Sequence, residues 1–503
     1  MGPFGGQAAT PQERRDEECS TDPRETQCSK TKEEPRTTMT SESQEAKQAL
    51  RSAWDDMIKA LQDARDAIDQ PQLMPAPGTD RNLAEGYRYL MGYVHSAVER
   101  AFHEDPQRPH MRNALSIITR STVDNADAIY FYTAIDGGKT YRLTGKPGDT
   151  RHWRGERSTT SGPKAPHYVI FEATSGDLPG DSGSLMELRP GVKAQTGRLD
   201  SSAIELDENG SFEILLGPQR PDGYAGNFIS TLKIIKPRTS DSEQSPTQRY
   251  ANYLSGRQLF NDWEREEAIH FNIVQIGNEG SPAPAYSAQQ AAAELRRFGD
   301  IVRNQMHFWN AFWTILMGTY GEREGSMPGV AFPRNNFNTI NAASGATGGG
   351  QSTNLYAGGV FELEPDEALI IENYIRLPPR YVGFQIANLW GESIEYANRI
   401  GSLNGHQMTE DADGVLRIVI AHNDPGVPNW IDTTGHREGF LTARWTYSET
   451  PVTEHWPSIT AKKVRFADVW QQLPEDTARV SSEERQQQIR MRQRHVQRRY
   501  RVF

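Results

Sequence analysis

The stretch Asp411-Ala-Asp-Gly-Val-Leu-Arg-Ile-Val-Ile-Ala-His422, continued by Asn423-Asp-Pro-Gly-Val-Pro-Asn-Trp-Ile431, decides how this chain is read. Asp-x-Asp-Gly marks a tight turn, because Asp bonds nearby backbone and Gly accepts unusual dihedrals. Apolar residues then alternate from Val415 to Ile420, which fits a strand. A Gly/Pro turn follows, and Asn429-Trp-Ile enters a second extended segment. The same order occurs earlier. Asp207-Glu-Asn-Gly-Ser-Phe-Glu-Ile-Leu-Leu216 leads to Gly226-Asn-Phe-Ile229, with a two-residue difference in length. Turn chemistry alone makes such hairpins look alike. The shared Asn-aromatic-Ile argues for two related β units. Tyr130–Asp136 and Phe384–Trp390 are a weaker second match.

Working outward, 113–280 reads as one strand-rich unit and 356–450 as another. Ala128–Ile135 runs into Asp136-Gly-Gly, a hairpin signal, with Tyr141–Thr144 as the return strand. Ile204–Leu206 and Ser211–Leu216 read as a further hairpin. The spacing predicts helices within 44–105 and over 287–318. Leu50, Trp54, Met57, Leu61, Ala64 and Ile68 form one stripe; a short coiled coil or packing on the protein's own body would use it. Ser287 and Gln290 have capping-box spacing. Residues 1–43 are too polar to bury a core and are expected to be disordered. The stretch 237–248 reads as an inserted loop, and 321–352, rich in Gly and Asn, as a flexible loop or lid. The Arg-rich tail 480–503 reads as a frayed, solvated helix or as a contact for an acidic partner.

The chain has 503 residues, 36% of them hydrophobic, and a formal net charge of −11. That charge argues against nucleic-acid binding, which needs a basic face. No apolar run approaches the roughly 20 residues that span a bilayer. The two cysteines, Cys19 and Cys28, lie in the polar leader, so a disulfide framework is not expected and the cytoplasm is the default compartment.

Two polar, aromatic clusters are candidate sites. Asn429-Trp430-Ile-Asp432-Thr-Thr-Gly-His436 offers hydrogen-bonding groups, a flat indole suited to a sugar ring, and a titratable imidazole. Gln385-Ile-Ala-Asn388-Leu-Trp390-Gly-Glu392 offers an amide, an indole and a carboxylate. Glu392, Asp432 and His436 form the candidate catalytic set; Asn388, Trp390, Asn429, Trp430 and Arg444 form the candidate ligand-binding set. Structural roles compete throughout, since Asx side chains often satisfy local backbone and Trp often plugs a core. His406, His422 and His436 share a region but have no metal-ligand spacing, so no metal or cofactor is expected.

The C-terminal region resembles the bacterial domain of unknown function 1214 family. The matching marks include Gly359, Asp366-Glu-Ala-Leu, Phe384-Gln-Ile, Asn388, Trp390, Glu392-Ser, Asp424-Pro-Gly-Val, Asn429-Trp-Ile-Asp-Thr, Gly435-His-Arg and Arg444-Trp. Glu85-Gly-Tyr-Arg-Tyr-Leu and Asn125-Ala-Asp look like the usual N-terminal companion region. The resemblance implies a β-sandwich or jelly-roll-like domain and carries no reaction with it.

The expectation is an α+β, β-rich chain: two antiparallel β-sandwich or jelly-roll-like units with buttressing helices. A small or carbohydrate-like ligand would lie between them, with the Trp430 corner facing the shared cavity. The alternatives are a hydrolase or lyase using Glu392, Asp432 and His436, and a partner-binding protein acting through its tail. Oligomeric state is left open.

Overall fold

The computed structural model describes residues 41–70, 76–158, 160–189, 192–235, 247–318, 331–342 and 353–500. The expectations for 1–40, and for most of 237–248 and 321–352, fall outside these residues. Alternation in the first strand-rich region produces β1 (Arg112–Leu115), β2 (Ala128–Ala134), β3 (Tyr141–Gly145), β4 (Tyr168–Ser175), β5 (Ala194–Asp200) and β6 (Phe212–Gly217). It continues with β7 (Asn227–Ser230), β8 (Leu232–Ile235), β9 (Thr247–Tyr250), β10 (Tyr253–Leu259) and β11 (Phe271–Gln275). One sheet runs β1-β2-β10-β4-β5 and another β11-β3-β6-β7; β8 and β9 pair separately. Phe131, Phe171 and Leu254 of the first sheet meet Leu143, Ile214 and Ile273 of the second, which makes a sandwich.

The second sandwich uses β12 (Asn354–Glu362), β13 (Glu367–Tyr374), β14 (Tyr381–Ala387), β15 (Ser402–Asn404), β16 (Val415–Ala421), β17 (Trp430–Asp432), β18 (Glu438–Thr446) and β19 (Ser458–Arg465). Its sheets run β12-β18-β14-β15 and β17-β16-β13-β19. Leu355, Phe384 and Trp445 face Ile370, Ile418 and Ile420 across its core. Read β12 for β2, β13 for β3 and so on to β17 for β7, with β18 for β10 and β19 for β11. Every neighbour in the two four-stranded sheets then has its equivalent in the first sandwich. Neither sandwich is wholly antiparallel: β6–β7 and β16–β17 are parallel pairs.

The repeated Asn-aromatic-Ile sits at those parallel pairs and does the same work in each. Asn227 Nδ2 donates to the carbonyls of Glu205 (2.8 Å) and Glu213 (2.9 Å), and its Oδ1 accepts from Glu205 N (2.9 Å). Asn429 Nδ2 donates to the carbonyls of Thr409 (2.7 Å) and Arg417 (2.8 Å), and its Oδ1 accepts from Thr409 N (2.8 Å). One side chain closes three backbone groups that the strand change would otherwise strand in the interior.

Three readings of where the strands lie need correction. β2 and β3 are not a hairpin but belong to opposite sheets. The Asp136 turn carries the chain across the sandwich, and Gly137 lies so close to Ala251 that a Cβ there would come within 2.5 Å of its carbonyl oxygen. Ile204–Leu206 is not a strand, although the Asp207 turn forms. Phe384–Trp390 lies on β14 and just beyond, whose counterpart is β4, so its match to Tyr130–Asp136 on β2 has no basis in the topology.

The helices α1 (Ser41–Asp69), α2 (Asp80–His103) and α3 (Ala288–Leu316) buttress the second sandwich. Met57, Ala64 and Ile68 of α1 share one core with Tyr89 and Leu90 of α2, Trp309 and Trp313 of α3, and Trp390 and Phe440. The α1 stripe therefore packs on the protein's own body, although Trp54 stays exposed. Ser287 caps α3 as expected, its side chain accepting from Gln290 N at 3.1 Å. None of the described helices is long and apolar enough to cross a membrane.

The tail forms α4 (Ser482–Arg499), opened by a Ser481/Glu484 capping box. It is not a solvated helix: Arg485, Arg492, His495, Val496 and Arg499 are buried. Arg499 lies 4.6 Å from the Trp263 ring centre and donates to the Ala126 carbonyl at 2.6 Å. Arg485 pairs with Asp424 at 2.9 Å. Arginine stems bury along aromatic faces while their heads find carbonyls, so a charged sequence makes a packed element.

Candidate functional site

The predicted residues separate into three places. Asn388 and Glu392 flank the tight turn after β14, and His436 follows β17; all three are buried beneath α2. His436 Nε2 lies 2.8 Å from Glu85 Oε1 and its Nδ1 2.8 Å from the Thr433 carbonyl. Asn388 Nδ2 donates to Glu85 Oε2 (3.1 Å) and Glu392 Oε2 (2.8 Å), and Arg88 donates to Glu392 Oε2 at 2.7 Å. Burial pushes the Glu85 carboxyl up, but the His436 bond and charge, with Arg88 and Arg81, outweigh it and hold its pKa below the ordinary value. Glu392 and His436 therefore belong to one network without touching. Glu85 and Arg88, which complete it, were missed as site residues; their only signal was the Glu85-Gly-Tyr-Arg motif.

Asp432 stands apart from that network. Its Oδ2 pairs with Arg399 at 3.0 Å and its Oδ1 accepts from Thr434 N at 2.7 Å. The two indoles are fillers whose N–H groups end on carbonyls. Trp390 donates to Asn82 O at 2.7 Å and Trp430 to Ala421 O at 3.1 Å. Trp430 lies in the hydrophobic core of the second sandwich, so the corner does not face a shared cavity. Asn429 borders a separate recess of about 300 Å³, but its amide is committed to the backbone. The histidines do not converge: His422 Nδ1 meets Thr433 Oγ1 at 2.7 Å, and His406 lies 3.8 Å from Asp262.

Arg444 alone of the predicted set lines a cavity between the sandwiches. There the outer face of β2-β10-β4 opposes that of β12-β18-β14, and α3 closes one side. One chamber of about 170 Å³ is bordered by Tyr130, Arg257, Tyr356, Arg444 and the α3 aromatics Trp309 and Trp313. A neighbouring chamber of about 160 Å³ shares Tyr130, Arg257 and Trp309 with it. No Asp or Glu stands among the described lining residues of either chamber. Glu172, beside the first arginine, is 3.8 Å from it.

The strand registers relate these polar groups. On β10, Arg257 is the direct cross-strand partner of Tyr130 on β2. On β18, Arg444 is the direct partner of Tyr356 on β12. Since β10 corresponds to β18 and β2 to β12, each sandwich presents the same Arg–Tyr rung to the same cavity. Each tyrosine hydroxyl accepts from a nitrogen of an asparagine: Asn125 N to Tyr130 at 2.8 Å, Asn354 Nδ2 to Tyr356 at 2.9 Å. Arg257 stacks 5.1 Å from the Tyr130 ring centre, and Arg444 is anchored by the Val123 carbonyl. Burial raises the Tyr130 pKa, which keeps that hydroxyl a donor at neutral pH. The sequence read Arg444 as a motif residue, but it contained no local sign of Arg257, Tyr130 or Tyr356, because the rungs exist only through pairing.

No protein-family model and no curated protein matches the chain. Among solved structures it is similar to an uncharacterized protein from Burkholderia cenocepacia, at 24% identity and a TM-score of 0.65, over 84% of this chain and 100% of that one. A Vibrio parahaemolyticus protein aligns over 80% of this chain and 100% of that one, at 11% identity and a TM-score of 0.35. The first likeness shows a shared fold.

Proposed function

We propose that the cavity between the sandwiches binds a small organic anion, a carboxylate of the size of a sugar acid. The observation that carries this reading is the pair of Arg–Tyr rungs facing one space with no carboxylate in its described lining. Guanidinium groups in a partly dry site favour anions and pair with carboxylates in a planar, often two-pronged geometry. Trp309 and Trp313 supply the apolar wall that such pockets use for a ligand's carbon skeleton. The Glu85–His436–Asn388–Glu392 network reads as a joint for α2, because its members satisfy one another and none borders either chamber. Binding is accordingly favoured over hydrolysis or lysis. The matching strand order and the twin asparagine clamps support descent of the two sandwiches from one duplicated unit, and the motifs resembling the domain of unknown function 1214 family fall on the later copy. The test is mass spectrometry of small molecules released from the purified protein. An anion at near-stoichiometric amount in the wild type, depleted at least about tenfold in Arg257→Gln/Arg444→Gln, is expected, each lost charged hydrogen bond being worth about 1.5–3 kcal/mol. A ligand retained undiminished by that folded variant would remove the proposal.

A further inference from the structure

The connection between β3 and β4, residues 146–167, is much longer than its counterpart 375–380 in the second sandwich. It brings two histidines to one carboxylate. His152 lies in the 3-10 turn Arg151–Arg154, His167 immediately precedes β4, and Glu266 lies between β10 and β11. One ligand atom from each lies within 4.8 Å of the others. This end of the sandwich is remote in sequence from the three histidines that the linear reading considered.

The tautomers follow from the backbone. His152 Nε2 faces the Pro166 carbonyl at 3.1 Å, so that nitrogen carries the proton and donates it. His152 Nδ1 is then a bare lone pair, buried and without a hydrogen-bond partner. His167 Nε2 faces the Arg380 carbonyl in the same way, leaving its Nδ1 lone pair 3.7 Å from Glu266 Oε1. Glu266 is fully buried; Oε2 accepts from Asn261 N (2.7 Å) and His167 N (3.1 Å), while Oε1 accepts no hydrogen bond. Three Lewis bases thus face one another with no proton between them. Imidazoles whose far N–H is fixed by a carbonyl are the arrangement that orients metal-binding histidines.

We propose that His152, His167 and Glu266 bind one divalent transition-metal ion of the zinc type, with water completing the shell. Two imidazoles and one carboxylate suit zinc, cobalt or nickel better than magnesium or calcium, which prefer all-oxygen sites. Lys164 is the resident counter-charge, its Nζ lying 3.8 Å from Glu266 Oε1 and 3.4 Å from Asp262 Oδ2. Metal entry displaces it towards Asp262. The lysine therefore occupies the place of the ion, and its removal does not weaken metal binding.

The experiment is a chelator-competition titration of Zn2+ into metal-stripped, full-length protein, with Co2+ absorption as a second readout. One equivalent of Zn2+ is expected, with a tetrahedral Co2+ spectrum. Glu266→Gln and His167→Gln should each weaken it at least tenfold, and Lys164→Met should leave it equal or tighter. His455→Ala, at an exposed histidine, should change nothing. Glu266→Gln keeps an oxygen for the Asn261 and His167 N–H groups, and circular dichroism identifies variants that fold. The proposal is overturned if folded wild type takes up no stoichiometric Zn2+, or if folded Glu266→Gln and His167→Gln bind it like wild type. It is also overturned if Lys164→Met weakens binding.

Discussion

Asn429 and Asn227 show how one side chain can hold a strand change together. Each is nearly buried and closes three backbone hydrogen bonds. Replacing either by Ala leaves backbone groups without partners and should cost about 2–4 kcal/mol, read from urea unfolding. An effect below about 1 kcal/mol at both sites would show that water replaces the clamp. Asp124 makes a second residue-level prediction. It is buried against Ser393, whose N–H and hydroxyl donate to it at 3.0 and 2.8 Å, and burial pushes its carboxyl up to about 6. The folded form holds this proton more tightly than the unfolded chain, so its stabilising contribution is present below about pH 4 and is lost as the pH rises through about 6. The loss is of order 3 kcal/mol. Asp124→Asn should lack that slope, so the difference between variant and wild-type stability should itself change by about that amount across pH 4–7. The asparagine echo was legible in the sequence because turn chemistry is local. Its role was not, since a ligand-binding amide and a backbone-clamping amide have the same side chain and differ only in what the fold brings near.

At the scale of elements, helices and strands were legible from periodicity, but the destination of a strand was not. Asp136-Gly-Gly correctly marked a turn, yet a turn does not state which sheet receives the next strand. Backbone packing between Gly137 and Ala251 goes with the crossing. The tail misled for a related reason: charge density was read as solvation, whereas Arg492 is 1% exposed and donates to the carbonyls of Tyr396 and Ser402. Burial pushes the Arg492 pKa down to about 10. Removing 480–503 should therefore lower Tm by at least about 5 °C or prevent folded protein from accumulating, as monitored by circular dichroism. An unchanged melting curve would mean that α4 is dispensable to the sandwiches.

For the whole molecule, the repeated topology turns one Arg–Tyr rung into two that share a cavity. If a ligand engages both, Arg257→Gln and Arg444→Gln should weaken its binding by comparable factors, about 10- to 100-fold each, by titration calorimetry of the recovered compound. A strong effect from one and none from the other would place the ligand in a single half. This arrangement could not be read along the chain, because its four residues come from β2, β10, β12 and β18 and meet only through pairing and layer stacking. The position of α4 has a consequence for biogenesis. Its docking surface joins Trp263 of the earlier half to Tyr396 and Asp424 of the later one. During synthesis the amino-terminal parts emerge first. A nascent chain thus exposes both halves before their clasp has been translated, so completion of either sheet pair does not latch the two together until α4 has emerged.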